Sequence, residues 1–83
     1  MWFVYIVECV DGSYYTGITN RLEERVEVHN QGRGAKYTRG RTPVRLVYWE
    51  EYEGRSEASV REAEVKRMSR GEKVELVGSR LSL

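Results

Sequence analysis

Two runs of β-branched and aromatic residues, WFVYIVEC (2–9) and YYTGIT (14–19), stand on either side of Asp11-Gly12. Runs of this kind suit a pleated, half-buried surface, and an Asp-Gly between them supplies the positive φ of a tight reversal. The chain therefore opens as a β-hairpin, and whatever follows must pack on it. Two registers are open. A two-residue Asp11-Gly12 turn pairs Val10 with Ser13 and Tyr5 with Ile18, which puts Tyr5 and Tyr15 on opposite faces. A three-residue loop, Val10 to Gly12 with Gly12 in the left-handed bulge position, pairs Cys9 with Ser13, Tyr5 with Gly17 and Val7 with Tyr15. Both phenols then share one face. Local propensity mildly favours the shorter turn.

After the hairpin, Asn20 can cap a helix that runs through RLEERVEVHN to a stop at Gly32. GRGAKYTRGRTP (32–43) is a glycine-rich loop closed by the only proline, and VRLVYWEEY (44–52) is a third strand. Ser56 can cap a long helix over EASVREAEVKRMSR (57–70), which Gly71 interrupts; EKVELV (72–77) is then a short last helix. The order ββαβαα predicts an α+β fold, a three-stranded antiparallel sheet flanked by helices. Eighty-three residues leave room for one domain and one core, over about residues 2–78, with a frayed tail at 79–83.

Cys9 is the only cysteine, so no disulfide supports so small a core, and it reads as a strand hydrophobe in a reducing compartment. No stretch approaches the ~20 apolar residues of a membrane span. The first apolar run is broken by Glu8 and Asp11, unlike a signal peptide. A cytoplasmic location is expected. The net charge of +1 does not announce a polyanion binder, but its distribution is uneven. Arg33, Lys36, Arg39, Arg41 and Arg45 follow one another without an acid, while the acids gather at Glu23, Glu24 and Glu27 and at Glu50, Glu51, Glu53 and Glu57. One basic rim of this kind attracts polyanions whatever the sum.

Helical residues advance by about 100°, so Leu22, Val26 and His29 share a stripe with Arg25 at its border. Arg25 and His29 thus point toward the sheet. In the long helix Ala58, Glu62, Val65 and Ser69 fall in one arc, which lays a carboxylate along a small apolar stripe. Burial there is expensive unless the charge is paired or bound to a metal. Bland readings stand beside these: an Arg25–Glu62 ion pair would satisfy both groups, His29 can simply be packed, and Tyr14, Tyr37 and Tyr48 read as core. One Cys and one His cannot build a closed zinc site. No triad spacing or nucleophile elbow is present, and Gly32, Gly34 and Gly40 do not form a P-loop.

Taken in order, these residues resemble the GIY-YIG nuclease superfamily, most closely its small stand-alone members. Phe3-Val4-Tyr5 stands at the first tripeptide and Tyr15-Thr16-Gly17 at the second, with Arg25 and Glu62 at the helix arginine and the later glutamate. YTGIT, HN.G.GAKYTRGR.P and E...K follow in sequence, so the resemblance spans Val4 to Val77. It implies a divalent-metal phosphodiesterase acting on DNA in repair or recombination, selecting structure more than sequence. By position, Glu62 would be the single protein ligand of a Mg2+ or Mn2+ ion. Tyr15 would help generate or orient the attacking hydroxide, assisted by Tyr5 through a hydrogen bond. Arg25 would stabilise charge on the scissile phosphate, and His29 would assist proton transfer or phosphate contact.

Lys36 and Lys66 match basic positions of the small members, and with Arg39 and Arg41 they are expected phosphate contacts. DNA is the implied partner, with a second protein as a source of specificity. The other reading is a non-catalytic nucleic-acid-binding module, which has no use for the tyrosine–arginine–glutamate set. The resemblance also favours the three-residue hairpin loop, because both phenols should line one cleft. Phe3, Val4 and Thr16 depart from the signature tripeptides, and the late asparagine of larger members has no counterpart, since Asn20 and Asn30 are both early.

Overall fold

The computed structural model describes residues 1–81. Strand β1 (Trp2–Glu8) and strand β2 (Tyr14–Thr19) are followed by helix α1 (Leu22–Asn30) and a single 3-10 turn (Lys36–Thr38). Strand β3 (Arg45–Tyr52), helix α2 (Arg55–Lys66) and helix α3 (Arg70–Leu81) complete the order ββαβαα. Both strand pairs are antiparallel, as the pattern of runs and turns predicts, and the sheet runs in the order β2-β1-β3.

The hairpin closes with the longer loop. Cys9 N donates to Ser13 O at 2.8 Å, Gly12 N donates to Cys9 O at 2.9 Å, and Gly12 takes φ +83°. Tyr5 therefore faces Gly17 and Val7 faces Tyr15. The shorter turn favoured by local propensity loses because it would turn every β2 side chain over, and this sheet buries different residues on its two faces.

One face carries Val4, Ile6 and Tyr48 against Ala58, Val65 and Val77 of α2 and α3, with Tyr14 and Ile18 at its margin. The other gathers Tyr5, Val7, Cys9 and Val44, with Tyr15 of β2 and Leu22 and Val26 of α1 packed on them. A polar clamp joins β3 to α2: Glu50 accepts from Arg61 at 2.9 and 3.0 Å and from the Tyr52 hydroxyl at 2.6 Å, and Tyr48 also donates to it. Burial opposes ionisation of Glu50, but these donors outweigh it and hold the carboxyl below its ordinary range.

Several boundaries differ from expectation. Asn20 does not cap α1; the chain is still leaving β2 there, and Thr19 Oγ1 accepts from Arg21 N at 3.1 Å instead. Gly32 does stop the helix, at φ +76°. Helix α2 begins at Arg55 after Gly54, not at a Ser56 cap, and ends at Lys66 rather than Arg70. The break lies before Gly71 because Ser69 opens α3 with a capping box. Its Oγ accepts from Glu72 N at 3.2 Å, while Glu72 Oε1 accepts from Ser69 N at 2.9 Å. Ser69 thus leaves the α2 stripe, and the last helix extends to Leu81, into the expected tail. The final two residues of that tail, 82–83, lie outside the described residues.

Candidate active site

The site starts from the β1–β2 pairing. Gly17 lies opposite Tyr5, and a Cβ built on it would fall 2.6 Å from the Tyr5 Oη. The space that a side chain at Gly17 would need is filled by the phenol itself. Tyr5 is 1% exposed and His29, from α1, is 0% exposed. Their polar atoms meet at 2.8 Å, Tyr5 Oη to His29 Nε2. On its other side His29 Nδ1 lies 2.7 Å from Thr38 Oγ1, and Thr38 Oγ1 donates to Ala35 O at 2.9 Å. Arg25, one helical turn before His29, donates from Nε to Tyr5 Oη at 3.4 Å.

This environment sets charge states. Burial, reinforced by the Arg25 charge, pushes the His29 pKa down to about 4, so the imidazole is neutral at pH 7. Burial likewise raises the Tyr5 phenol above its ordinary value, against the pull of the Arg25 hydrogen bond and charge. The charge of Glu62 is close enough to Tyr5 to add to that rise.

Tyr15 is half-buried. Its ring meets His29 edge-on with centroids 5.4 Å apart and stacks on Tyr37 at 6.1 Å and 21°. The Tyr5 and Tyr15 centroids are 6.5 Å apart, and the hydrogen bonds of the Tyr5 hydroxyl are to His29 and Arg25, not to Tyr15. Tyr37 is not a core residue, contrary to expectation: it is 39% exposed, and the 3-10 turn sets its ring over the site's edge. Tyr48 is buried and Tyr14 partly buried in the α2–α3 layer, as expected of core phenols.

Glu62 comes from α2, which packs against β1 and β2 on the sheet face opposite Tyr5, and only its charge is felt at the Tyr5 phenol. The Arg25–Glu62 ion pair is not formed among the described residues. Arg25 turns to Tyr5 instead, and the Glu62 carboxylate pairs with Lys66 Nζ at 3.2 Å. The expected set therefore divides by exposure. Tyr5 and His29 are sealed, while Tyr15, Arg25 and Glu62 remain partly exposed and can touch a substrate.

The basic rim divides as well. Lys36 and Arg39 are exposed at the two ends of the 3-10 turn and have no ion-pair partner among the described residues. Arg41 is engaged: it pairs with Asp11 at 3.1 Å, donates to Tyr37 O at 2.6 Å and lies 4.1 Å over the Tyr37 ring. Lys66 is tied to Glu62. Thr38, Ala35 and Gly34 complete the surroundings of His29; the GAKYT stretch holds all three, without a role for any of them in the sequence pattern. They lie in a stretch with loop chemistry, and only the hydrophobic stripe that placed His29 inward hinted that something must meet it.

No three His, Cys, Asp or Glu residues cluster as a metal cage among the described residues. A fully dehydrated ion held by protein alone thus has no seat. A partly exposed single carboxylate fits a hydrated hard cation, since Mg2+ keeps several waters and takes one or two carboxylates, provided Lys66 gives up its pairing.

Comparison with known proteins places the chain in a family. The family model described as the GIY-YIG catalytic domain matches residues 1–74. The UPF0213 protein CPE1444 of Clostridium perfringens is 52% identical over 80 residues, covering 96% of this chain and 86% of its own. A UPF0213 protein of Staphylococcus aureus, SAV0488, is 55% identical over 78 residues, covering 94% and 95%. Among solved structures, the solution NMR structure of the UPF0213 protein BH0048 from Bacillus halodurans matches with TM-score 0.61 at 49% identity, over 94% of this chain and 84% of that one. The NMR structure of EF2693 from E. faecalis matches with TM-score 0.63 at 38% identity, over 98% and 86%.

Proposed function

The chain belongs to the GIY-YIG family, a family of nucleases, and from that premise we propose that it hydrolyses DNA phosphodiesters with one hydrated Mg2+ or Mn2+ ion. The observation that carries the reading is the placement of the partly exposed Tyr15 and Arg25 against the sealed Tyr5–His29 pair, with the Glu62 charge near enough to act on the Tyr5 phenol.

Each group has a task that its surroundings permit. Arg25 spends Nε on Tyr5, which leaves its terminal nitrogens to donate to the non-bridging phosphate oxygens, where charge builds in the transition state. Tyr15 accepts a hydrogen bond from the attacking water and orients it, while the water proton passes to solvent. As the new P–O bond forms and the old one breaks, the leaving oxygen takes a proton from solvent. Glu62 would hold the ion, which when bound supplies Lewis-acid stabilisation to the phosphoryl oxygens. Lys66 then exchanges its partner for the DNA backbone, and Lys36 and Arg39 hold the strand along the rim.

We assign recognition to DNA shape and backbone, in repair or recombination, with a partner protein as the source of further specificity. The setting we assign is the cytoplasm. No helix among the described residues is long and apolar enough to cross a membrane.

The Glu62–Lys66 pair also favours a second reading, because it satisfies the carboxylate without an ion. In that case the domain binds nucleic acid and cuts nothing. The test is incubation of the pure protein with labelled linear, nicked, flapped and branched DNAs in Mg2+, Mn2+ or chelator. Metal-dependent cleavage lost in Glu62→Gln supports the nuclease. Salt-sensitive binding without cleavage under any condition supports the module.

A further inference from the structure

The hydrogen bonds that run from Arg25 to Ala35 can all be made in one direction only. Arg25 Nε can only donate, and the Ala35 carbonyl can only accept. Thr38 has one hydroxyl proton and gives it to Ala35 O at 2.9 Å, so its oxygen must accept from His29 Nδ1 at 2.7 Å. A neutral imidazole protonated at Nδ1 is bare at Nε2, and Tyr5 donates there at 2.8 Å. The phenol oxygen is left to accept from Arg25 Nε at 3.4 Å.

The reversed order is poorer. With the proton on Nε2, His29 would donate to Tyr5 and Thr38 would turn its hydroxyl to Nδ1. Thr38 then gives up its bond to Ala35 O, and the Tyr5 proton has no acceptor among the described residues in a phenol that is 1% exposed. A buried donor without a partner costs about 1–3 kcal/mol.

We propose that Thr38 is a positioning residue of the site: its hydroxyl locks His29 as the Nδ1–H tautomer, and through Tyr5 that lock aims the Arg25 guanidinium. The lock itself follows from the geometry, and its catalytic consequence rests on the nuclease reading above. The same 3-10 turn presents Tyr37 to the Tyr15 ring. One short turn thereby sets both the guanidinium and the partly exposed phenol.

The sequence holds a single histidine, so its tautomer can be read directly. Long-range 1H–15N correlation spectra of the wild-type protein at pH 7, without DNA or metal, should show a protonated Nδ1 and a bare Nε2. A bare Nδ1 with protonated Nε2 overturns the proposal, whether or not the protein cuts DNA. Thr38→Val should give a mixture of tautomers and slow cleavage by about 100-fold, the scale of a small misplacement at a reacting centre, with DNA affinity unchanged. Thr38→Ser should restore both spectrum and rate. A Thr38→Val protein that keeps the pure Nδ1–H tautomer and the full rate also overturns it. Should that variant not fold, the wild-type spectrum and the Thr38→Ser rate still decide. The expected tautomer in a wild-type protein that cuts no DNA supports the lock and defeats the nuclease reading instead.

Discussion

A Cβ built on Gly34 would fall 2.1 Å from His29 Nδ1, so the loop backbone packs directly on the imidazole. Gly34→Ala must therefore displace a fully buried ring or the loop itself. Gly17→Ala meets Tyr5 Oη at 2.6 Å in the same way. Each should lower stability by about 1–3 kcal/mol, the usual cost of overpacking, read as a shift in the urea midpoint. Gly40→Ala, with nothing within 4 Å and no positive φ, is the control and should shift it little.

His29 makes stability depend on pH. It is neutral in both states above its unfolded pKa of about 6.5. Below that the unfolded chain takes a proton that the folded chain refuses until about pH 4, so stability present at pH 7 is lost as pH falls. The slope should be about 1.4 kcal/mol per pH unit, and about 2 kcal/mol in all between pH 6.5 and 5, before carboxylates join. Urea unfolding at a series of pH values measures it. His29→Gln should flatten that slope; an equal slope in the variant would remove His29 as its cause.

Glu62→Gln should abolish metal-dependent cleavage and leave DNA affinity within about twofold, since the amide keeps the shape and loses the hard anionic ligand. Lys66→Met should lower the Mg2+ concentration needed for half-maximal cleavage, because the ammonium now 3.2 Å from the carboxylate competes with the ion. Metal titrations of the two variants check both statements. Stability should barely change in Lys66→Met, as exposed pairs are worth about 0–1 kcal/mol.

The rim arginines should behave differently from one another. Arg39→Ala and Lys36→Ala should each reduce the salt slope of DNA binding by about 0.9, one released counterion per lost phosphate contact. Arg41→Ala should change that slope less and slow cleavage more, because Arg41 already serves Asp11 and Tyr37. Binding isotherms across a salt series distinguish the two outcomes, and equal slopes for Arg39→Ala and Arg41→Ala would contradict the division.

Much of this was legible from spacing. The aromatic runs around Asp11-Gly12, the third strand read at 44–52 and found at 45–52, and the inward stripe with His29 are local patterns that the structure keeps. The hairpin register was not legible from propensity, because it is decided by which residues the helices on each face will bury. Ser69 and Glu72 do spell a capping box, but the neighbouring Gly71 drew the helix break two residues too late. Tyr37 was misplaced for a general reason: an aromatic side chain announces contact area without saying whether the partner is a core or another ring. Thr38 stands within HN.G.GAKYTRGR.P, but nothing in that stretch says what its hydroxyl meets. Its partner, His29, is nine residues away across a loop whose path only packing determines.

The two faces of the sheet also age differently under mutation. The apolar layer of Val4, Ile6, Ala58, Val65 and Val77 holds the molecule together and contains none of the polar chain from Arg25 to Ala35. A lineage can thus erase the hydroxyl of Thr38 or the carboxylate of Glu62 with its hydrophobic layer untouched. On the nuclease reading, the layer that holds the fold and the groups that would cut are separate inheritances in this architecture, so well-folded descendants that hold DNA without cutting it are a short evolutionary step away.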